Sequence, residues 1–292
     1  MLEAFLQITF GGLIFGSIYA LAAIGLVLIY KTTDVVNFAH GEMAMITTFL
    51  RYTFLQIAGF PFFAAFLLAL VFACLFGMTV YQTMMKRVQH APPLNQIVLT
   101  LGLFLAFNGI AGLIWGYTPH GYPRAIQGDS FQVGSIFMSP HQLFILGITL
   151  LLMVIFYVVF KYFKVGLAMR ATQQDTQTSS LMGIKVSQVF NWTWAAGAVL
   201  GGVAGMLTAP IAYLEPGMML EILIMGFAAA VFGGFINLSG AVIGGLIVGV
   251  YSNWVSYYIG SELSVAFVFL LIVLVLYVRP TGLFGAKNVK KV

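Results

Sequence analysis

Apolar residues fill this chain in blocks about as long as a bilayer is thick, and polar residues are confined to the joins between them. A helix that spans a membrane needs about 20 predominantly apolar residues. Nine blocks come close to that length: 8–30, 34–55, 62–85, 94–116, 140–160, 188–212, 222–237, 241–259 and 263–278. The seventh is short, and the tight link from Gly233–Gly234 to Gly240 makes 222–259 read as a hairpin. The blocks are continuous runs, whereas outer-membrane barrels show ten-residue segments of alternating polarity. The pattern therefore predicts an all-α polytopic membrane protein with about nine transmembrane helices, or eight if 34–55 is re-entrant. One membrane domain covering 1–292 is expected, with its long polar breaks at 117–139 and 161–187.

Composition agrees with the pattern. Only 7% of residues are charged and 61% are hydrophobic, against about 25% charged in a soluble domain. The basic residues that give a net charge of +5 flank the apolar blocks, so they read as topology signals and not as a nucleic-acid surface. Placing 161–187 inside also places Lys31, Lys86, Arg87, Arg279, Lys287, Lys290 and Lys291 inside. Only Arg51 and Arg124 then face outward, an 11:2 division of the 13 basic residues that favours an external N-terminus and a cytoplasmic C-terminus. The eight-span alternative, with the N-terminus inside, divides them 10:3, so charge does not separate the two. MLEAFLQ lacks the basic n-region of a signal peptide, and the first block is expected to be retained as a span. The single cysteine, Cys74, lies within a block, which leaves no disulfide framework and no metal site.

Small residues suggest where helices touch. Gly12/Gly16, Gly197/Gly201/Gly205, Gly240/Gly244 and Gly245/Gly249 are each spaced by four, on one helix face, where they allow close backbone approach in lipid. Packing alone is a sufficient account of them.

Two polar stretches stand apart. The first, Asp34-Val-Val-Asn37-Phe-Ala-His40-Gly41-Glu42, opens the second block. Charges at membrane depth are costly and normally face a cavity or a partner. On a continuous helix Asp34, Asn37 and Gly41 share a face while His40 and Glu42 point elsewhere; a break at Gly41 would let them converge on a substrate path. Asp34 and Glu42 would otherwise lie at the interface and cap or pair. Asn95, Gln96 and Asn108 add amides to the fourth block, where hydrogen bonds between helices are their ordinary role. The second stretch is Lys161 to Ser187. Leu167, Met169–Arg170, Gln174 and Ser180–Leu181 suggest a short amphipathic helix, followed by another begun after Gly183. Such a stretch is either a docking surface or an ordinary basic loop. No HExxH, GxSxG or Gly-Lys dipeptide occurs, so neither an enzyme constellation nor a Walker A loop is expected in this chain.

GLIFGSIYALAAIGLVLIYKTTDVVNFAHGEMAMI (12–46) closely resembles the opening of LivH-type branched-chain amino acid ABC transporter permeases. GLAMRATQQDTQTSSLMGIKVSQV (166–189) resembles their cytoplasmic coupling loop, and AAAVFGGFINLSGAVIGGLIVGV (228–250) and RPTGLFG (279–285) match as well. The resemblance implies the ABC importer permease fold shared with sugar and vitamin B12 importers. It implies a homologous second permease, two cytoplasmic ABC ATPase subunits that bind the ATP and Mg, and an extracytoplasmic binding protein, all at a bacterial or archaeal cell membrane. Gly166, Arg170, Asp175, Gly183 and Ile184 would belong to the ATPase-coupling helices. Asn37, His40, Gly41 and Glu42, with Asn108, would lie beside the substrate pathway, Asn37 nearest the solute. The binding protein would dock near 117–139 and 213–221. Relatives of this kind also move urea or short amides. A different class, an ion-coupled secondary transporter using Asp34, His40 and Glu42 as a relay, would need buried acids in both halves. The second half offers only Glu215, Glu221 and Glu262, all near block ends.

Overall fold

The computed structural model describes residues 2–89 and 91–285; Lys287, Lys290 and Lys291, counted above among the inward charges, lie outside them. Each apolar block carries a helix. α1 (Leu2–Thr33) has Glu3 in its first turn and Lys31 in its last, both favourable to the helix dipole. α2 (His40–Tyr52) continues into a π-helical turn, Thr53–Ile57. α3 (Phe62–Val80) runs through a second π turn, Tyr81–Met85, into the single turn α4 (Lys86–Val88). α5 (Pro93–Trp115) begins on a proline, whose fixed φ suits a first turn, and stops at Gly116 with φ 79°. α6 (Pro140–Tyr162), α7 (Lys164–Gln174), α8 (Thr176–Leu181) and α9 (Val186–Ala212) follow. α10 (Leu220–Gly233), α11 (Leu238–Tyr258) and α12 (Ser264–Val278) complete the described chain.

Among the described residues seven helices are long and apolar enough to cross a membrane, and α10 is a shorter apolar one. The second block behaves differently from its expectation. Residues 34–55 are not one helix: the chain leaves α1 at Asp34, runs without helix through Ala39, and re-enters helix at His40. The face that was to join Asp34, Asn37 and Gly41 therefore does not exist. α2 is also the most enclosed element, with 11 of its 13 residues buried, against α3, α5 and α9. A small departure from an all-helical chain is the antiparallel hairpin of β1 (Phe131–Val133) and β2 (Ile136–Met138).

The elements gather into two compact units, with boundaries inside α1, α6 and the first turn of α10 and in the link after Ala125. The first takes the residues up to Val27, Ile126–Leu150 and those from Ile222 on. Here glycines set the spacing. A Cβ on Gly12 would lie 2.6 Å from Val250 Cα, and one on Gly16 2.9 Å from Leu246 Cα, so α1 and α11 touch backbone to backbone. Gly245 and Gly249 face Ala20 and Gly16 from the other side of that contact. Gly240 and Gly244 turn the opposite way, onto Gly233 and Ala229 of α10, and close the hairpin. The hairpin β1–β2 is held to α1 where Gln7 donates to the Phe137 carbonyl at 3.0 Å and accepts from its N–H at 2.8 Å.

The second unit takes Leu28–Ala125 and Leu151–Glu221. α9 lies along both α2 and α3. Gly201 and Gly205 meet His40, Ala44 and Thr48 of α2, and Gly202 meets Thr47. Gly197 is buried on the same helix. The two stretches expected to meet a binding protein come together here, in a bridge between His120 and Leu214.

Candidate functional site

The unwound segment before α2 is shaped by two side chains that the sequence singles out. Asp34 adopts φ 55°, a left-handed conformation that Asp tolerates better than most residues, and its N–H donates to Tyr30 to end α1. Asn37 then accepts from the Ala39 N–H at 3.1 Å, an Asx-type turn that starts α2, while its amide reaches Met43 Sδ at 3.7 Å. Asn37 is 1% exposed, so its polarity is spent on the chain's own turn.

From there the cluster divides. His40 points to α9, under Gly201, with neither ring nitrogen bonded. Glu42 points to α5, where Asn108 Nδ2 donates to one carboxylate oxygen at 3.3 Å; the other oxygen is buried without a partner. Gly41 is buried in the first turn of α2 and is helical, so the break lies ahead of it and not at it. The structure thus brings Glu42 and Asn108 together and keeps His40 apart from both. Of the other amides, Gln96 donates to the Val88, Gln89 and Ala91 carbonyls and caps α4.

Sequence reasoning missed Arg51. It was counted as an outward-facing flank, yet it is 2% exposed. Its guanidinium lies 4.2 Å from the Phe62 ring centre and 5.2 Å from that of Tyr122, and Nη1 donates to the Tyr122 hydroxyl at 2.5 Å. Nε and Nη2 have no partner. The aromatic residues after Pro61 were the available signal: an arginine followed by Phe62 and Phe66 can be sheathed by cation–π contacts.

The 161–187 stretch folds as two helices, but not where expected. The second helix, α8, precedes Gly183. Asp175 caps it by accepting from the Gln177 and Thr178 N–H groups at 2.8 and 3.0 Å and from the Thr178 hydroxyl at 2.6 Å. Those bonds, the Thr178 hydroxyl first, hold the Asp175 carboxyl below its ordinary value. Gly183, at φ 85°, ends the helix in a Schellman turn: its N–H donates to Ser180 and that of Ile184 to Ser179. What begins after Gly183 is the long helix α9. At the other end, a Cβ on Gly166 would run into the Phe160 carbonyl, so the corner from α6 to α7 requires glycine. Arg170 fastens that corner, donating to the Lys161 carbonyl at 3.1 Å. Val165, Leu167, Leu181 and Met182 are exposed along this stretch.

A cavity of about 750 Å³ lies in the same unit, between α8 and the chain leaving α1. Among the described residues no three His, Cys, Asp or Glu side chains converge to hold a metal ion.

Comparison with known proteins places this architecture. Residues 8–276 match the family described as branched-chain amino acid transport system, permease component. The high-affinity branched-chain amino acid transport system permease protein LivH of Salmonella typhimurium is 31% identical, over 99% of this chain and 98% of its own. LivH of Escherichia coli is 31% identical over the same shares. The probable LivH of Methanocaldococcus jannaschii is 26% identical over 94% of this chain and 91% of its own. Among solved structures, PsaBC from Streptococcus pneumoniae in complex with Fab aligns with a TM-score of 0.50 at 13% identity, over 92% of this chain and 90% of that one, a likeness of fold. A nine-block helical chain with an enclosed second helix, matched from end to end in this way, belongs to the family of permease components of branched-chain amino acid transport systems.

Proposed function

We propose that this chain is the membrane permease of an ATP-driven importer of branched-chain amino acids. The observation that carries the reading is its correspondence with LivH at 31% identity over 99% of its length. The chain itself is not an enzyme in this reading. ATP and Mg are bound by two cytoplasmic ABC ATPase subunits, a homologous permease completes the pathway, and a binding protein delivers the solute from outside. The C-terminus is cytoplasmic and the N-terminus external.

The physical features fit these roles. α7, α8 and the turn that ends α8 carry exposed Val165, Leu167, Leu181 and Met182 on a polar, basic stretch, the mixture suited to seating in a cleft of another protein. Asp175, Gly183 and Ile184 hold α8 in one shape, while Gly166 and Arg170 fix α7 against the end of α6, so a displacement of the ATPase is passed to the spans as a rigid movement. The pathway runs beside Asn37–Glu42, where the unwound segment meets the first turn of α2 and a carboxylate oxygen is unpaired. Movement of α5 against α2 would expose the Glu42–Asn108 pair to the solute. The bridged stretches at His120 and Leu214 form the receiving surface for the binding protein.

The test is reconstitution of the permease pair with its ATPases and binding protein in proteoliposomes, followed by uptake of labelled leucine. Uptake that requires ATP and the binding protein is expected. Uptake driven by a proton or sodium gradient without ATP would overturn the reading.

A further inference from the structure

The cavity beside α8 is lined by none of Asn37, His40, Gly41, Glu42 and Asn108. Its volume, about 750 Å³, falls within the roughly 300–1,000 Å³ usual for small-molecule sites. Its floor is made of core side chains, Trp194 (1% exposed), Tyr81 and Met85 (2% each), so it is a depression in the packed unit and not a gap between surface loops. Tyr81 and Met85 bound the π-helical turn that interrupts the helix after α3, the kind of irregularity often kept at functional sites.

The polar groups are unevenly distributed. Asp34 lines the cavity and is exposed to solvent, with its backbone in the left-handed conformation. Among the described residues its carboxylate makes no hydrogen bond and no ion pair, and no lysine or arginine lines the cavity. One unbalanced negative charge above an aromatic and thioether floor is complementary to an ammonium group on a compact apolar body. The facing wall is α8 itself, through Gln177 and Ser180. An occupant held between Asp34 and α8 would tie the helix that meets the ATPase to the segment that opens α2.

We propose that this cavity is a second solute site, for a small primary amine with a branched apolar body, and that its occupancy holds α8 and slows the ATPase cycle. Given the function proposed above, the occupant is the released branched-chain amino acid, and the site acts as a brake set by its concentration in the cytoplasm.

The experiment uses the assembled permease and ATPase complex in nanodiscs without the binding protein. Leucine, isopentylamine (leucine without its carboxylate) and isocaproate (leucine without its ammonium) are each titrated for binding and for their effect on ATP hydrolysis. Leucine and isopentylamine are expected to bind saturably and to slow hydrolysis, and isocaproate to do neither. Asp34→Asn, which keeps the backbone conformation accessible, is expected to weaken both amines by about tenfold, as loss of a charge-assisted contact should. Equal binding of isocaproate and isopentylamine would overturn the proposal, as would unchanged amine affinity in Asp34→Asn. If that variant fails to assemble, the three ligands on the wild-type complex still decide. Proteoliposomes separate the two readings. Leucine import that internal isopentylamine does not slow refutes the brake alone. Absence of any leucine import refutes the function, while amine binding in nanodiscs still judges the cavity.

Discussion

Glu42 is fully buried with a single amide donor, Asn108, on one of its two oxygens. Replacing Asn108 with leucine removes that donor and is expected to destabilise the permease by about 1–3 kcal/mol, because a buried carboxyl group then has no partner. Adding Glu42→Gln should restore most of the loss in a thermal unfolding measurement; a double variant no better than the single would show the pair to be irrelevant. Tyr122 plays the matching part for Arg51. Burial pushes its phenol up to about 12 from an ordinary 10.0, with Arg51 pulling the other way. The folded chain keeps that proton where the unfolded chain loses it, so this contribution to stability is complete below pH 10.0 and fades as pH rises towards about 12. Tyr122→Phe should lower stability at neutral pH and flatten the alkaline decline, and an unchanged pH profile would refute the assignment. At this scale the sequence identified the polar residues but not their partners. Asn37, Glu42 and Asn108 stand out as polar residues within apolar runs; Arg51 does not, because an arginine at the end of a block has the same local sequence whether it snorkels to water or turns back into a ring of aromatics.

Helix boundaries depend on chemistry at single positions, and the 161–187 stretch shows which of it can be read. The Asp175 cap, an acid followed by Thr176 and Thr178, carries a sequence signature that the reading of the chain did not use. A helix does begin after Gly183, α9, but the glycine's positive φ also closes α8, which the sequence reading had run together with the helix before it. Gly183→Ala is expected to cost roughly 1–2 kcal/mol of local stability, the penalty of a left-handed alanine, and to loosen α8. Gly166→Ala should do more, since its methyl group meets the Phe160 carbonyl. Both variants are expected to insert in the membrane normally and to co-purify less ATPase. Full ATPase recovery with Gly166→Ala would mean that the α6–α7 corner is not part of the coupling surface. The break at Asp34–Ala39 was hidden for a related reason. Its Val35, Val36, Phe38 and Ala39 are as apolar as a span, and only Asp34 and Asn37 carry the turn geometry.

Across the whole chain, apolar block length gave nearly every helix, but not which helices are sheathed by protein. In a bilayer both faces of a span are apolar, so periodicity carries little information. The most hydrophobic stretch of α1 is 89% buried and that of α6 11%, although both read as plain spans. Glycine spacing was the better guide: the ridges at Gly12/Gly16 and Gly201/Gly205 lie where helices make their closest approaches. The enclosure of α2 has a consequence for how the protein is made. With His40, Glu42 and Arg51 in 13 residues, α2 is a poor substrate for lateral release into lipid. Its glycine-lined partner α9 is synthesised only after most of the intervening chain has emerged. The nascent permease must therefore hold α2 at the insertion machinery, or in its shelter, until α9 arrives. A chain cut after Tyr162 should be degraded rapidly, whereas one cut after Ala212 should survive, as pulse-chase labelling would reveal. Equal lifetimes would mean that α2 enters the bilayer unaided.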